Sequence, residues 1–230
     1  MIFGGFQKLT LLDYPGKVAC TVFTKGCNFY CPFCHNAFLV DVCGEEESIS
    51  ADNVLSYLIK RKGILEGICI TGGEPLLHDE IEAFIKEVKN LGFSVKLDTN
   101  GSFPDKLKAL AGEGLIDYVA MDIKNSFEKY AETSGQKSFD LSPILESIDF
   151  LMSGTIDYEF RTTVSSPLHT VSDIEKIAQH IVGAKKYFLQ NYVDSGHILG
   201  KNLSPIDEKT LAEMEKTAQK YVKTAQIRGK

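Results

Sequence analysis

Short apolar runs alternate along the chain with longer stretches in which apolar residues recur every three or four positions. The first kind predicts β-strands at 18–24, 67–71, 93–98, 118–124, 158–164 and 187–192. The second predicts helices at about 51–62, 79–91, 104–112, 143–152, 173–182 and 205–224. At 79–91, Ile81, Phe84, Ile85, Val88 and Leu91 form one stripe, the period of a helix buried on one face. Ser172 with Glu175 has capping-box spacing. Ser142-Pro143 and Ser204-Pro205 each put a capping serine before a proline suited to the first helical position. Strand alternating with helix predicts parallel strands joined by helical crossovers. No repeat, composition break or low-complexity linker interrupts the chain. It reads as one domain over 1–230, with an N-terminal extension at 1–17 and six βα units over 18–224.

The strand faces choose between an open and a curled sheet. At 93–98, Phe93, Val95 and Leu97 oppose Ser94, Lys96 and Asp98; at 158–164, Glu159 and Arg161 share a face opposite Phe160 and Thr162. A parallel sheet covered by helices on both faces reads as nearly continuous apolar runs. One apolar face and one face carrying both signs of charge predict helices outside and a polar lumen inside. The expected fold is α/β, a curved partial (β/α)6 barrel.

Composition removes several function classes. The 230 residues are 43% hydrophobic and 24% charged, as in ordinary globular proteins, and the net charge of −6 gives no electrostatic footprint for nucleic acid or an anionic membrane. No apolar run reaches the length of a membrane span, and the first residues lack a basic stretch followed by an apolar one. Six cysteines suit a reducing compartment, where close thiols mean metal or redox chemistry. The expectation is a cytoplasmic protein without nucleic-acid or membrane partners.

Three of those cysteines are close: Cys27, Cys31 and Cys34 stand in C-x3-C-x2-C spacing, while Cys20, Cys43 and Cys69 are scattered singly. A structural zinc site takes four closed ligands, and ferredoxin-type clusters are held by four cysteines. Three thiolates around an iron–sulfur cube leave one iron open to a ligand that is not protein. His35 is the candidate fourth zinc ligand, but it adjoins Cys34, and neighbouring side chains rarely converge on one tetrahedral ion. A zinc-stabilised binding module stays as the alternative of another class.

Other polar residues fall at the C-terminal ends of strands, where βα-barrels place their working groups. They are Thr71-Gly-Gly-Glu-Pro75, Asp98-Thr-Asn-Gly101, Asp122-Ile-Lys124, Arg161 in the fifth strand, and His197 after the sixth. Gly72 and Gly73 permit close backbone approach to a ligand, and carbonyls there with the Glu74 carboxylate can accept from an ammonium group. Lys124 suits a carboxylate. Asp98 and Asp122 suit an ammonium, a hydroxyl or a cation. An amino-acid ligand matches this set. For Lys124 and Arg161 the competing reading is internal pairing with Asp122 or Glu159.

The cysteine loop followed by Gly-Gly-Glu-Pro resembles the radical S-adenosylmethionine superfamily along most of the chain. Within it, 13–17 (Asp-Tyr-Pro-Gly-Lys), Cys34-His-Asn36, Asp98-Thr-Asn-Gly101 and Asp122-Ile-Lys124 resemble the activating enzymes of glycyl-radical enzymes. Residues 6–16 and Phe160-Arg-Thr-Thr163 resemble the branch that activates anaerobic ribonucleoside-triphosphate reductase. The resemblance implies a [4Fe–4S] cluster on Cys27, Cys31 and Cys34, with S-adenosylmethionine on the open iron. It implies cofactor contacts from Phe33, Gly72, Gly73, Glu74, Asp98, Asp122, Lys124 and His197, and a monovalent cation beside Asp98, Thr99 and Asp122. A second cluster is not expected, because only Cys43 and Cys69 lie between the motif and Gly72. The segment at 13–17 departs from the more usual Asp-Gly-Pro-Gly-Ile-Arg form.

The implied activity is one-electron cleavage of S-adenosylmethionine, hydrogen abstraction from a glycine Cα of a partner enzyme, and a low-potential donor such as flavodoxin or ferredoxin. No side chain need act as general acid or base. An alternative keeps the cofactor and takes a small-molecule or peptide substrate, with Arg161 binding it. The segment at 13–17 is expected to bend up beside the barrel's open seam, where Asp13 would accept from backbone N–H groups of the partner's glycine loop. The competing reading is a surface turn at the barrel's end.

Overall fold

The structure, a computed structural model, describes residues 1–40, 48–194, 196 and 198–229. Cys43 and His197 lie outside the described residues. The chain forms two compact units, one of residues Met1–Asn28, Phe38–Thr99 and Phe103–Val119, the other of Phe29–Ala37, Asn100–Ser102 and Ala120–Lys230.

In the first unit, β1 (Ile2–Thr10) runs antiparallel to β2 (Ala19–Thr24). After the cysteine loop come a short α1 (Ala37–Val40) and β3 (Ile49–Ser50), which pairs with β1. Helix α2 (Ala51–Lys60) leads to β4 (Gly67–Gly72), α3 (Ile81–Asn90), β5 (Ser94–Thr99) and α4 (Pro104–Gly112). β2, β4 and β5 are parallel, in the registers Ala19↔Gly67 to Thr24↔Gly72 and Gly67↔Ser94 to Ile70↔Leu97. β2 and β4 are central, and nearly every side chain along them is buried, as a strand covered on both faces requires. Ile81, Phe84, Ile85 and Val88 of α3 are buried as the stripe predicts, and Phe84 meets Phe3 edge-on at 5.0 Å.

β6 (Tyr118–Asp122) spans the division between the units. The second unit continues with α5 (Tyr130–Ser134), α6 (Ser142–Met152), β7 (Asp157–Val164), α7 (Val171–His180), β8 (Tyr187–Asn191), α8 (Glu208–Ala218) and β9 (Ala225–Arg228). β7, β8 and β9 are parallel, with Phe160↔Tyr187 and Tyr187↔Ala225 in register. The fold is α/β with parallel strands in an unclosed sheet, and no described helix is long and apolar enough to cross a membrane.

Several expectations are corrected. The N-terminal extension at 1–17 carries a strand the sequence pattern did not predict, since β1 occupies nine of its residues. Its glycines concealed it: a Cβ at Gly4 would strike Leu39 and Lys25, and one at Gly5 would press on Phe23. Helix α7 is capped by a Thr170–Asp173 box instead of Ser172–Glu175, because the helix begins earlier. Ser204 does not cap a helix; it exchanges backbone hydrogen bonds with Ser166, and Asp207 caps α8 three residues later. Ser142 lies inside α6, where its N–H is taken by the Asp140 carboxylate. β9 was unforeseen. Its Arg228 grips the fully buried Glu159 through two hydrogen bonds of 2.6 and 2.9 Å and lies over the Phe188 ring.

Candidate functional site

In the first unit, the turn after β4 is laced to the strand end that launches the cysteine loop. Gly73 N–H donates to Thr24 O and Glu74 N–H to Gly26 O, both at 2.9 Å. A Cβ on Gly73 would collide with the Gly26 carbonyl. One on Gly72, whose φ is +112°, would collide with the Thr24 backbone. On the side where a Cβ would stand, the close approach these glycines permit is made by the chain itself. Gly26 N–H donates to Leu39 O at 2.6 Å, and His78 Nε2 lies 2.7 Å from Lys25 O, fixing the start of the loop that carries Cys27. Nothing in the sequence reading singled out His78.

Glu74, expected to accept from a ligand ammonium, here accepts from groups of the chain itself. It is fully buried, and its Oε1 accepts from Leu76 N–H at 3.0 Å and from the Thr99 hydroxyl at 2.9 Å. It joins the turn after β4 to the end of β5. Asp98, beside Thr99, is ion-paired with Lys96, which is 1% exposed, and Cys69 Sγ lies 3.7 Å from both charged groups. Sequence reading put Lys96 and Asp98 on one face but gave no sign that they pair.

The segment at 13–17 lies at the opposite end of these strands. β1 leaves its pairing at Thr10↔Ala19, so the chain returns beside the N-terminal end of β2. Tyr14 is buried against Ala19 and Tyr118, and Thr21 donates to the Asp13 carboxylate at 2.6 Å. These contacts hold the segment down, and the expected bend toward the C-terminal strand ends does not occur.

In the second unit, Asp122 ends β6 with both oxygens engaged. Arg161 Nε donates to Oδ1 at 2.8 Å and Lys124 Nζ to Oδ2 at 3.1 Å. Burial alone would raise the Asp122 pKa; the two cations outweigh it and hold the carboxyl far below its ordinary range. For Lys124 burial opposes the charge, and Asp122, with smaller help from Cys31 and Tyr130, keeps the ammonium charged well above its usual range. The internal pairing weighed for Lys124 and Arg161 is thus present, through Asp122.

The same lysine reaches the cysteine loop electrostatically. Burial pushes the Cys34 thiol up, while Lys124 and the Asn36 N–H favour its thiolate. Loop geometry is set by Cys34 N–H to Cys31 O at 3.1 Å, Tyr30 N–H to Ser134 O at 2.8 Å and Gly200 N–H to Pro32 O at 2.9 Å. Phe33 is buried edge-on against His169 at 5.4 Å. His169 Nδ1 accepts from Ser165 N–H and Nε2 donates to the Lys124 carbonyl at 2.8 Å, with burial depressing its pKa. His35, next to Cys34, stacks on Tyr192 and accepts from Val193 N–H rather than completing a ligand set. His169 and Tyr192 were missed, since a lone His or Tyr carries no spacing signal.

Cys27, Cys31 and Cys34 supply the three thiol groups of this short loop. Among the described residues no three His, Cys, Asp or Glu side chains form a group that could hold a metal ion. The fit to a cluster therefore rests on donor chemistry: three soft thiols on one short loop, with Cys34 near a fixed cation. Among the described residues, the buried Tyr192 hydroxyl and Ser165 Oγ have no hydrogen-bond partner. The donor set fits.

The family model of the radical SAM superfamily matches residues 21–181. A protein of Methanocaldococcus jannaschii named "putative glycyl-radical enzyme activating enzyme" is 33% identical over 236 residues, covering 99% of this chain and 95% of that protein. The pyruvate formate-lyase-activating enzyme of Clostridium pasteurianum is 26% identical over 209 residues, covering 85% and 82%. Among solved structures, Streptococcus suis SuiB bound to S-adenosylmethionine superposes with a TM-score of 0.70 at 14% identity, covering 90% of this chain and 49% of that one. That likeness supports the fold alone.

Proposed function

The chain is an enzyme that belongs to the radical S-adenosylmethionine superfamily, and we propose that it activates a glycyl-radical enzyme, an anaerobic ribonucleoside-triphosphate reductase being the partner its sequence resemblance favours. The observation that carries the reading is the near full-length similarity to a protein named as such an activating enzyme, in a chain where Cys31 and Cys34 of the three-cysteine motif lie within electrostatic reach of Lys124.

Cys27, Cys31 and Cys34 would hold a [4Fe–4S] cluster. When bound, the cluster and S-adenosylmethionine supply one-electron cleavage of a sulfonium and the hydrogen-abstracting power that makes a glycyl radical. This chain's residues bind and orient. Lys124, kept charged and aimed by Asp122, offers a cation to the cofactor's carboxylate, and Arg161 fixes Asp122. Phe33 offers a flat apolar surface to the adenine, with His169 setting its ring orientation. Glu74 acts as a positioning residue for the Gly-Gly turn. A contact from His197 rests on the resemblance alone. Electrons would come from flavodoxin or ferredoxin.

The test is anaerobic reconstitution with iron, sulfide, a low-potential reductant and S-adenosylmethionine, with and without an anaerobic ribonucleotide reductase. A glycyl-radical EPR doublet on the reductase, present in the complete mixture alone, is the expected result. Cofactor cleavage without a protein radical would move the reading to a small-molecule or peptide substrate.

A further inference from the structure

The resemblance implies a monovalent cation beside Asp98, Thr99 and Asp122, and the side chains around these residues, taken in each unit by itself, do not fit one. Asp98 is held by the ammonium of Lys96, a lysine 1% exposed on the same strand. The Thr99 hydroxyl donates to Glu74. Both Asp122 oxygens are taken, one by Arg161 and one by Lys124. Each carboxylate that would attract a mobile cation already has a covalently attached one, and Asp122 has two. At Asp98, which is buried, a second positive charge would be repelled at short range in a low-dielectric surrounding. It would also displace an ammonium that has no water to turn to.

We infer that Lys96 is the resident cation of the β5 carboxylate, so that this chain binds neither sodium nor potassium at Asp98 and does not depend on them. Lys96 is here a positioning residue: it neutralises Asp98 and holds it through one turn of the strand's pleat, beside Cys69. Thr99, which follows Asp98, carries that register to Glu74 and the Gly-Gly turn. The inference rests on side-chain contacts, and it stands or falls independently of which partner or substrate the enzyme takes.

The test uses anaerobically purified holoprotein without reductant, cofactor or partner. Sodium-23 NMR linewidths and thermal melting are followed as sodium or potassium chloride replaces choline chloride at constant ionic strength. The wild type should show no saturable broadening and a melting temperature within about 1 °C in all three salts, as a site without an ion requires. Lys96→Ala removes the tethered charge and opens space, and should gain saturable sodium broadening and a melting temperature that rises with sodium or potassium. The double variant Lys96→Met with Asp98→Asn, which has neither charge, should lose that response. Saturable broadening in the wild type that disappears in Asp98→Asn would overturn the inference, as would a folded Lys96→Ala indifferent to both ions. Should Lys96→Ala fail to fold in choline, recovery of the fold in potassium supports the inference, failure in every salt contradicts it, and the wild-type titration decides separately.

Discussion

Lys124 and Asp122 meet at 3.1 Å at the end of β6, with the lysine ammonium also within electrostatic reach of Cys31 and Cys34. One ion pair therefore orients the cation proposed to serve the cofactor and biases two of the thiols proposed to hold the cluster. Lys124→Ala should weaken S-adenosylmethionine binding while iron content stays unchanged, since the lysine is not a thiolate ligand. Loss of a charge-assisted contact costs about 1.5–3 kcal/mol, or roughly one to two decades in affinity. Equilibrium binding on reconstituted protein measures it, and unchanged affinity would remove Lys124 from the cofactor's contacts.

Asp122 also predicts a pH dependence. Its folded pKa lies below the unfolded value, so its stabilisation is fully present above the unfolded pKa of about 4 and is lost as pH falls further toward the folded value. Urea unfolding between pH 3 and 7 should show stability falling on the acid side. Asp122→Asn should flatten part of that fall while lowering stability at pH 7, because Arg161 and Lys124 lose their partner. An unaltered acid slope would contradict the assignment.

Glu74 gives a prediction that the sequence alone would have placed differently. Read as a ligand residue, it should affect cofactor binding with little effect on folding. Found buried and holding Thr99 and Leu76, it should affect the fold as well. Thr99→Val leaves the Glu74 carboxylate short of a donor, and about 1–3 kcal/mol of stability should be lost. Chemical denaturation of Thr99→Val and Thr99→Ser separates the hydroxyl from the methyl, with serine expected to keep most of the stability.

Arg228→Ala would remove the ion pair and both guanidinium hydrogen bonds from the Glu159 carboxylate, which is wholly buried in β7. Breaking such a pair costs roughly 3–5 kcal/mol. Glu159→Gln in the same background should return part of it by discharging the buried group. A melting curve for Arg228→Ala matching the wild type would show that the C-terminal strand contributes little.

The parallel strands and their crossover helices were legible because their periods are strong. Ile81, Phe84, Ile85 and Val88 could hardly form another pattern. β1 was not legible, because Gly4 and Gly5 break the apolar alternation to make room for Leu39, Lys25 and Phe23, neighbours that no local reading reveals. The capping errors at Ser142, Ser172 and Ser204 share one cause: several short polar residues compete for each helix start, and tertiary contacts choose among them. Around the candidate site, the placing of charged residues along the strands was legible and their hydrogen-bond partners were not. Lys96, Glu74 and Arg161 all stood in view as charged residues at strand positions. Which partner each one turns to depends on residues between 2 and 39 positions away.

The central claim is that Cys27, Cys31 and Cys34 together hold the cluster at which S-adenosylmethionine is cleaved. Its most direct measurement is reductant-dependent formation of 5′-deoxyadenosine, with iron content, by anaerobically reconstituted wild type and single Cys→Ala variants. The account predicts about four irons per chain and reductant-dependent product for the wild type, Cys20→Ala and Cys69→Ala. It predicts loss of the cluster's visible absorption and of product for each of Cys27→Ala, Cys31→Ala and Cys34→Ala. A wild type that takes up one zinc and no iron, or a Cys31→Ala variant that keeps both cluster and product, would contradict it.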